Sequence, residues 1–151
     1  MFTLVPVNFF DPATAREALG RVAALSPDSV AAYRELPQYG AVLVYEDRGE
    51  GAPAIFELLG KLGSCPEYNK VLCYWSGGKV GIGVAQGRSL LLANEYDAPD
   101  FATAQYFIFL ALKSLQLNPE VTSIRFMHPL SGEQEMALYR YFKAVDYDAR
   151  A

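Results

Sequence analysis

Hydrophobic and polar positions in the first half of the chain alternate between strand spacing and helix spacing. Residues 2–7 form a β-rich run that predicts a strand, although Pro6 removes one donor from its hydrogen-bond ladder. Asp11-Pro12 predicts a helix start, because Asp caps helices and Pro fits the first turn. Residues 30–36 fit a strand or a helix, and we favour a strand. With a strand at 41–46 and a helix at 53–62, the predicted order is β-α-β-β-α.

Residues 71–75, 79–85 and 89–96 predict three consecutive strands that form an antiparallel meander. Gly77 and Gly78 separate the first two, in a composition that favours a tight hairpin turn. The third strand carries three consecutive leucines, at positions 90–92. Leucine on both faces predicts that both faces are covered, which favours a central position in the sheet.

A long apolar helix is predicted to follow the meander, with Asp97 or Asp100 as its cap. Phe107 and Leu110 extend its apolar face almost all round, which is typical of a buried helix. Asn118-Pro119 ends it. Residues 122–128 then predict a strand with Ile124 and Phe126 inward. Ser131 and Gln134 predict a capping box for a helix that extends to about residue 142. Residues 143–148 predict a short final strand. The order from residue 71 is β-β-β-α-β-α-β.

Composition excludes several classes of function. The formal charge of -4 comes from 17 acids and 13 scattered bases, a distribution that argues against nucleic-acid binding. Cys65 and Cys73 form no C-x-x-C pair or Cys/His cluster, so we expect no disulfide framework or zinc site, and a cytoplasmic location. The start lacks the basic residues of a secretory signal. The longest apolar stretch, 101–112, is too short to cross a bilayer, so we expect no membrane partner.

The stretch WSGGKVGIGVAQG, residues 75–87, raises the question of a phosphate-binding loop. Its glycine spacing and strand-to-strand context fit neither a dinucleotide fingerprint nor a P-loop, which both require a following helix. We therefore assign Gly77 and Gly78 to a turn. Gly81 and Gly83 should leave a shallow stripe that Phe101 or Phe107 covers. A small-ligand groove beside this stripe is a weaker alternative.

Three antiparallel strands followed by α-β-α-β resemble the ribonuclease-H-like half-domain of actin-like ATPases. More narrowly, FTLVPVNFFDPATAREAL, AVLVYE and the segment from SLLLANEYDAPDF to LNPEVTSIRFMHPLSG resemble an uncharacterised bacterial family, a domain of unknown function with an actin-like ATPase fold. The similarity covers nearly the whole chain. It implies an α/β protein with a mixed sheet: a β-α-β-β-α segment at 1–69, on the same sheet or as a small subdomain, and a ribonuclease-H-like unit at 70–151. Family members continue ahead of the equivalent of Met1, so we expect a partial version.

In actin-like ATPases a D-x-G turn between the first two strands of the half-domain holds the phosphates. The resemblance places this turn at residues 74–79, which contain no acid, whereas magnesium needs carboxylate ligands. Two-metal nuclease chemistry would also need acids on strands 71–75 and 122–128, which have none. We therefore expect a non-catalytic interaction or scaffold module, with a protein partner or self-association. No catalytic residue, metal or cofactor is assigned. The alternative is an ATP-binding or ATP-hydrolysing protein that uses residues 76–79.

Other reactive side chains have ordinary structural explanations. His128, the only histidine, lies at a strand end where a base could act, but without a placed nucleophile a structural role is favoured. Asp146 and Asp148 would share a strand face and could bind a cation, although solvated terminal acids are the simpler interpretation. Ser76, Ser89 and Ser131 fit turns or caps. Most of the 20 aromatic residues fit core packing, and exposed tyrosines would suit a protein interface.

Overall fold

The computed structural model describes residues 1–147. The chain divides into two compact units, Met1–Glu57 and Leu58–Ala151. The predicted division at 69/70 stays a prediction, because compactness alone does not establish which parts fold independently. The elements are β1 Phe2–Pro6, α1 Ala15–Gly20, β2 Val30–Leu36, β3 Ala41–Asp47, α2 Ala54–Leu62, β4 Asn69–Ser76, β5 Lys79–Gln86, β6 Ser89–Asp97, α3 Phe101–Ser114, β7 Ser123–Phe126, α4 Gly132–Tyr139 and β8 Ala144–Tyr147.

The first unit holds a three-stranded antiparallel sheet in the order β1-β3-β2. Residues 30–36 are a strand, as favoured from the sequence. Helix α1 places Ala15 and Leu19 in a cluster with Val42 and Val44 of β3, since helical spacing brings these two residues to one side. This cluster forms the core on one face of the three-stranded sheet.

Pro6 does not remove a ladder donor, so the expectation from the sequence was wrong. The Val7 N–H donates to the Gly40 carbonyl at 2.9 Å, so Val7 directs its polar groups toward β3. Backbone groups alternate along a strand, so the nitrogen of the adjacent Pro6 points to the open edge of the sheet. A proline fits an edge strand in that orientation without loss of a bond.

The second unit holds a five-stranded mixed sheet in the order β6-β5-β4-β7-β8. Strands β4, β5 and β6 form the predicted antiparallel meander, and β7 and β8 extend the sheet in parallel. The order β-β-β-α-β-α-β is confirmed. Ile124 and Phe126 are buried, and the Ser131–Gln134 capping box is present, although α4 ends at Tyr139.

The central position expected for β6 was wrong, because β6 is an edge strand that pairs with β5. The register between the two strands shifts after Val84, which pairs with Leu92, while Ala85 pairs with Leu90. Leu91 is therefore the extra residue of a β-bulge, and it is partly exposed. The run of three leucines results from this irregularity and not from burial on two faces.

Helices cover both faces of the β4–β6 meander. Val80, Ile82 and Val84 of β5 face a core that includes Ile108 and Leu112 of α3. The opposite face receives Leu58 and Leu62 of α2 over Gly83.

Helix α3 is not buried all round, contrary to the expectation. Tyr106 is 60% exposed and Leu110 is 45% exposed, so the buried stripe is the narrower face of Ala104, Ile108, Ala111 and Leu112. Asp100 is its N-cap and accepts from the Thr103 N–H at 2.7 Å. No helix within residues 1–147 is long and apolar enough to span a membrane.

Candidate functional site

The site to which the resemblance assigns phosphate binding is the tip of the β4–β5 hairpin. Ser76 pairs with Lys79, and the turn between them consists of Gly77 and Gly78. Their φ angles are 59° and 73°, a left-handed conformation that glycine adopts at little cost. A Cβ on either glycine would meet nothing within 4 Å, so the tip is open. Glycine is favoured at these two positions by the backbone conformation and not by a lack of space.

Gly81 is covered by Tyr74, its cross-strand partner on β4. The Tyr74 ring crosses β5 above Gly81, and its hydroxyl donates to a carboxylate oxygen of Glu95 on β6. Burial and this hydrogen bond raise the pKa of Tyr74, because both favour the neutral phenol. The bond therefore joins three strands of the sheet on one face.

The neighbours that we expected for the glycine stripe, Phe101 and Phe107, were wrong. Tyr74 fills the space over Gly81, and Leu58 and Leu62 fill the space over Gly83. The two phenylalanines pack in the core on the other face instead, with the β5 valines. The stripe is occupied at both glycines, so it leaves no room there for the small-ligand groove that was the weaker alternative.

Lys79 at the hairpin tip forms an ion pair with Asp97 at the end of β6. The Nζ–Oδ1 distance is 2.7 Å, and both side chains are largely exposed. The hydrogen bond to Asp97 raises the pKa of Lys79, and the same bond lowers the pKa of Asp97. Because solvent screens exposed pairs, this contact can exchange with other ions at a small free-energy cost.

His128 contacts the hairpin from the segment that follows β7, and it has the structural role favoured from the sequence. Its Nε2 accepts the Trp75 N–H at 2.9 Å, and its Nδ1 lies 3.2 Å from the Pro129 carbonyl. This network fits a neutral ring with its proton on Nδ1, since an accepting Nε2 carries none. The Nε2 lone pair is therefore engaged and cannot serve as a free base.

The loop after β6 is hydrogen-bonded to the same hairpin through Ala98. The Trp75 indole N–H donates to the Ala98 carbonyl at 2.9 Å, and the Ala98 N–H donates to the Gly78 carbonyl at 2.8 Å. Asp97, which precedes Ala98, is thereby held beside Lys79.

Glu95 and Asp97, two carboxylates that were not predicted as site residues, share one face of β6. The sequence N-E-Y-D at residues 94–97 already indicates this shared face, because side chains two residues apart in a strand point the same way. In the register with β5, Glu95 lies opposite Gly81 and Asp97 lies opposite Lys79. Within residues 1–147, no group of three or more His, Cys, Asp or Glu is placed to hold a metal ion.

The other candidate residues lie away from the hairpin tip. Asp146 is 3.8 Å from Arg125, which also approaches Glu67 at 4.0 Å, so Asp146 belongs to an ion-pair group. Asp148 lies outside the described residues. Cys65 and Cys73 are free and buried, and burial raises the pKa of both thiols.

Comparison with known proteins supplies a family and a fold. Residues 50–145 match the model of DUF3822, a protein of unknown function. A crystal structure from Bacteroides thetaiotaomicron VPI-5482, a protein with actin-like ATPase fold and unknown function, superposes with a TM-score of 0.78 at 17% identity. The match covers 97% of this chain and 64% of that one, so the chain spans less than two thirds of that protein. No match was found among curated proteins. The resemblance drawn from the sequence is confirmed: the chain belongs to the DUF3822 family and has an actin-like ATPase fold.

Proposed function

We propose that the chain is a non-catalytic interaction module built on the actin-like fold. The observation that carries the proposal is the bonding of the hairpin tip. Lys79, the cation of the turn, is paired with Asp97, and Glu95 lies on the same face. A triphosphate at this tip would meet two carboxylates and one ammonium that is already paired, so like-charge repulsion opposes its binding.

Exposed aromatic residues on the second unit support a role in protein interaction. Tyr106 and Leu110 lie on the outer face of α3, and Phe109 contacts Tyr141 edge-on at 5.0 Å between ring centroids. Tyr141 is also exposed. Exposed aromatic residues are enriched at protein interfaces relative to the rest of a protein surface. The two free, buried thiols fit a reducing compartment, and we place the module in the cytoplasm.

A thermal-shift titration with Mg²⁺-ATP, compared with Mg²⁺ alone, tests the proposal. A ligand at 100 times its Kd adds about 2.7 kcal/mol to stability, which is a readily measured shift in Tm. We expect no shift and no phosphate release. A shift that rises with ATP concentration and is lost in Lys79→Ala would contradict the proposal.

ATP binding at the hairpin is the alternative function, and one observation favours it. The Lys79–Asp97 pair is exposed, so a phosphate could replace the carboxylate. Asp97→Asn separates the two functions, because it releases the ammonium and removes one repelling charge. If the tip binds phosphate, this variant should bind ATP more tightly than the wild type. If the tip is structural, neither form should bind.

A further inference from the structure

The outer face of α3 carries apolar side chains that the core does not bury. Tyr106, Phe109 and Leu110 lie on this face, because residues three and four apart share one side of a helix. Tyr141, which follows α4, contacts Phe109 edge-on. Tyr106, Leu110 and Tyr141 are all exposed. We call these four residues the outer ridge.

The rings of the outer ridge are held in place by the residues beneath them. Tyr106 packs edge-on against Phe107, with 5.3 Å between ring centroids, and Phe107 stacks on Tyr96 of β6 at 4.4 Å. Phe109 also stacks on the buried Phe142 at 5.5 Å. Side chains that are already ordered lose little conformational entropy when a partner covers them, so these rings suit a docking surface.

Three exposed bases lie at one end of the outer ridge. Lys113 follows Phe109 by one helical turn on the same side of α3. Arg140 and Lys143 flank residues 141–142, which Phe109 contacts. Within residues 1–147, none of these three side chains forms an ion pair. We call the three bases the basic end.

Helix dipoles do not account for the whole basic end. A base near the C-terminus of a helix offsets the negative end of its dipole, which explains Lys113 of α3 and Arg140 at the C-cap of α4. Lys143 belongs to neither helix. Its backbone N–H donates to the Pro119 carbonyl at 3.1 Å, which places it by the turn that holds Glu120. Three bases and this one acid give the region a net charge of +2, on a chain whose total is -4.

We propose that this surface docks an acidic amphipathic helix of a partner protein. The apolar side of the docked helix lies along the outer ridge, and its carboxylates meet the basic end. Tyr106, Leu110 and Lys113 follow one another at intervals of about one turn, which is the spacing of the rows with which one helix packs on another.

The placement of the charges favours a protein over a nucleic acid as the partner. Proteins that bind single strands have bases along the whole groove that follows the phosphates, whereas here the bases lie at one end of the ridge. The net charge of -4 also repels a polyphosphate chain. Leu110 offers an aliphatic contact, which suits an apolar side chain better than a base.

The inference rests on the proposed function, because it names the chemistry of the partner of an interaction module. It concerns a surface other than the hairpin tip, so the Mg²⁺-ATP titration and peptide binding can fail independently. If ATP binds at the hairpin while acidic peptides bind the outer ridge, the proposed function is wrong and this inference stands.

Selection from a peptide library tests the chemistry of the partner. Random displayed peptides of about 15 residues, enough for four helical turns, are selected on the purified chain. We expect the enriched sequences to combine Asp or Glu with Leu, Phe or Trp at helical spacing, and a parallel selection on Lys113→Glu not to enrich them. Enrichment of basic or uncharged sequences, no enrichment, or the same sequences on the variant would overturn the proposal.

The affinity of the most enriched peptide, labelled with fluorescein and followed by fluorescence anisotropy, locates the site. Lys113→Glu and Leu110→Ala should each weaken binding about tenfold, as loss of an anchor does. Arg34→Glu is the matched control, because it changes the net charge equally at an exposed base of β2 and should change the affinity less than about twofold. Circular dichroism verifies the fold of each variant.

Two outcomes of the affinity measurements contradict the inference. Equal losses in Lys113→Glu and Arg34→Glu would mean that the peptide responds to the net charge of the chain and not to the basic end. A thymidine oligonucleotide that binds more tightly than the peptide, and that loses affinity in Lys113→Glu, would make the surface a nucleic-acid site instead.

Discussion

Gly81 and Tyr74 depend on each other in the β4–β5 hairpin. The Tyr74 ring lies in the space that a side chain at position 81 would occupy, and from there its hydroxyl reaches Glu95. Any larger residue at 81 must displace a ring that is fixed by a hydrogen bond and by burial. The glycine is therefore needed for packing, and no phosphate ligand is required to explain it.

Gly81→Ala should destabilise the protein by about 1–3 kcal/mol, the usual cost of overpacking in a core. Gly60→Ala is the matched control, because a Cβ at this exposed position of α2 meets nothing within 4 Å. That change should stabilise the protein by about 0.5–1 kcal/mol, since alanine loses less backbone entropy in a helix. Urea denaturation measures both. Equal effects would refute the overlap with Tyr74.

The raised pKa of Tyr74 should make stability depend on alkaline pH. In the unfolded chain the phenol ionises near pH 10, whereas the folded protein keeps it neutral because it is buried and bonded to Glu95. The folded state then binds one more proton, so the free energy of unfolding falls by about 1.4 kcal/mol per pH unit above that pH. Tyr74→Phe should lose this one-proton slope, and the difference between the two unfolding curves measures it. Parallel curves would mean that Tyr74 ionises equally in both states.

At the scale of elements, hydrophobic spacing predicted which strands and helices exist but not which of their faces are covered. The three leucines of β6 indicated a central strand, yet the bulge after Val84 produces the run on an edge strand. A bulge is defined by how a strand pairs with its neighbour, and the sequence of a single strand does not specify that pairing. The assignment of Gly77 and Gly78 to a hairpin turn is confirmed. The residue that covers Gly81 could not be predicted in the same way, because it depends on the pairing register between β4 and β5.

Helix α3 offers a direct test of which apolar positions form the core. Leu112 is fully buried and Leu110 is 45% exposed, although the two are close in sequence and identical in chemistry. Leu112→Ala should cost about 2–5 kcal/mol, and Leu110→Ala less than about 0.5 kcal/mol. Thermal or urea unfolding of the two variants provides the measurement. Similar losses would mean that α3 is covered all round, as the sequence alone had indicated.

At the scale of the whole molecule, the second half of α2 belongs with the five-stranded sheet. Leu58 and Leu62 lie over Gly83 of β5, and both are fully buried. From the sequence, this helix is predicted in the first segment, because it precedes the three-strand meander along the chain. The face of β5 that carries two glycines has no bulky side chains of its own, and Leu58 and Leu62 of the helix cover it at Gly83.

Two fragments can test where the folding boundary lies. Loss of one buried leucine side chain costs about 2–5 kcal/mol, and a small domain is stable by about 5–15 kcal/mol in total. A fragment of residues 70–151 lacks both leucines and should therefore lose most of its stability, whereas one that begins at Pro53 keeps all of α2. We expect a cooperative thermal transition by circular dichroism from the longer fragment and none from the shorter one. A cooperative transition at the same Tm in both would place the boundary at residue 69/70, because the sheet would then be stable without the helix.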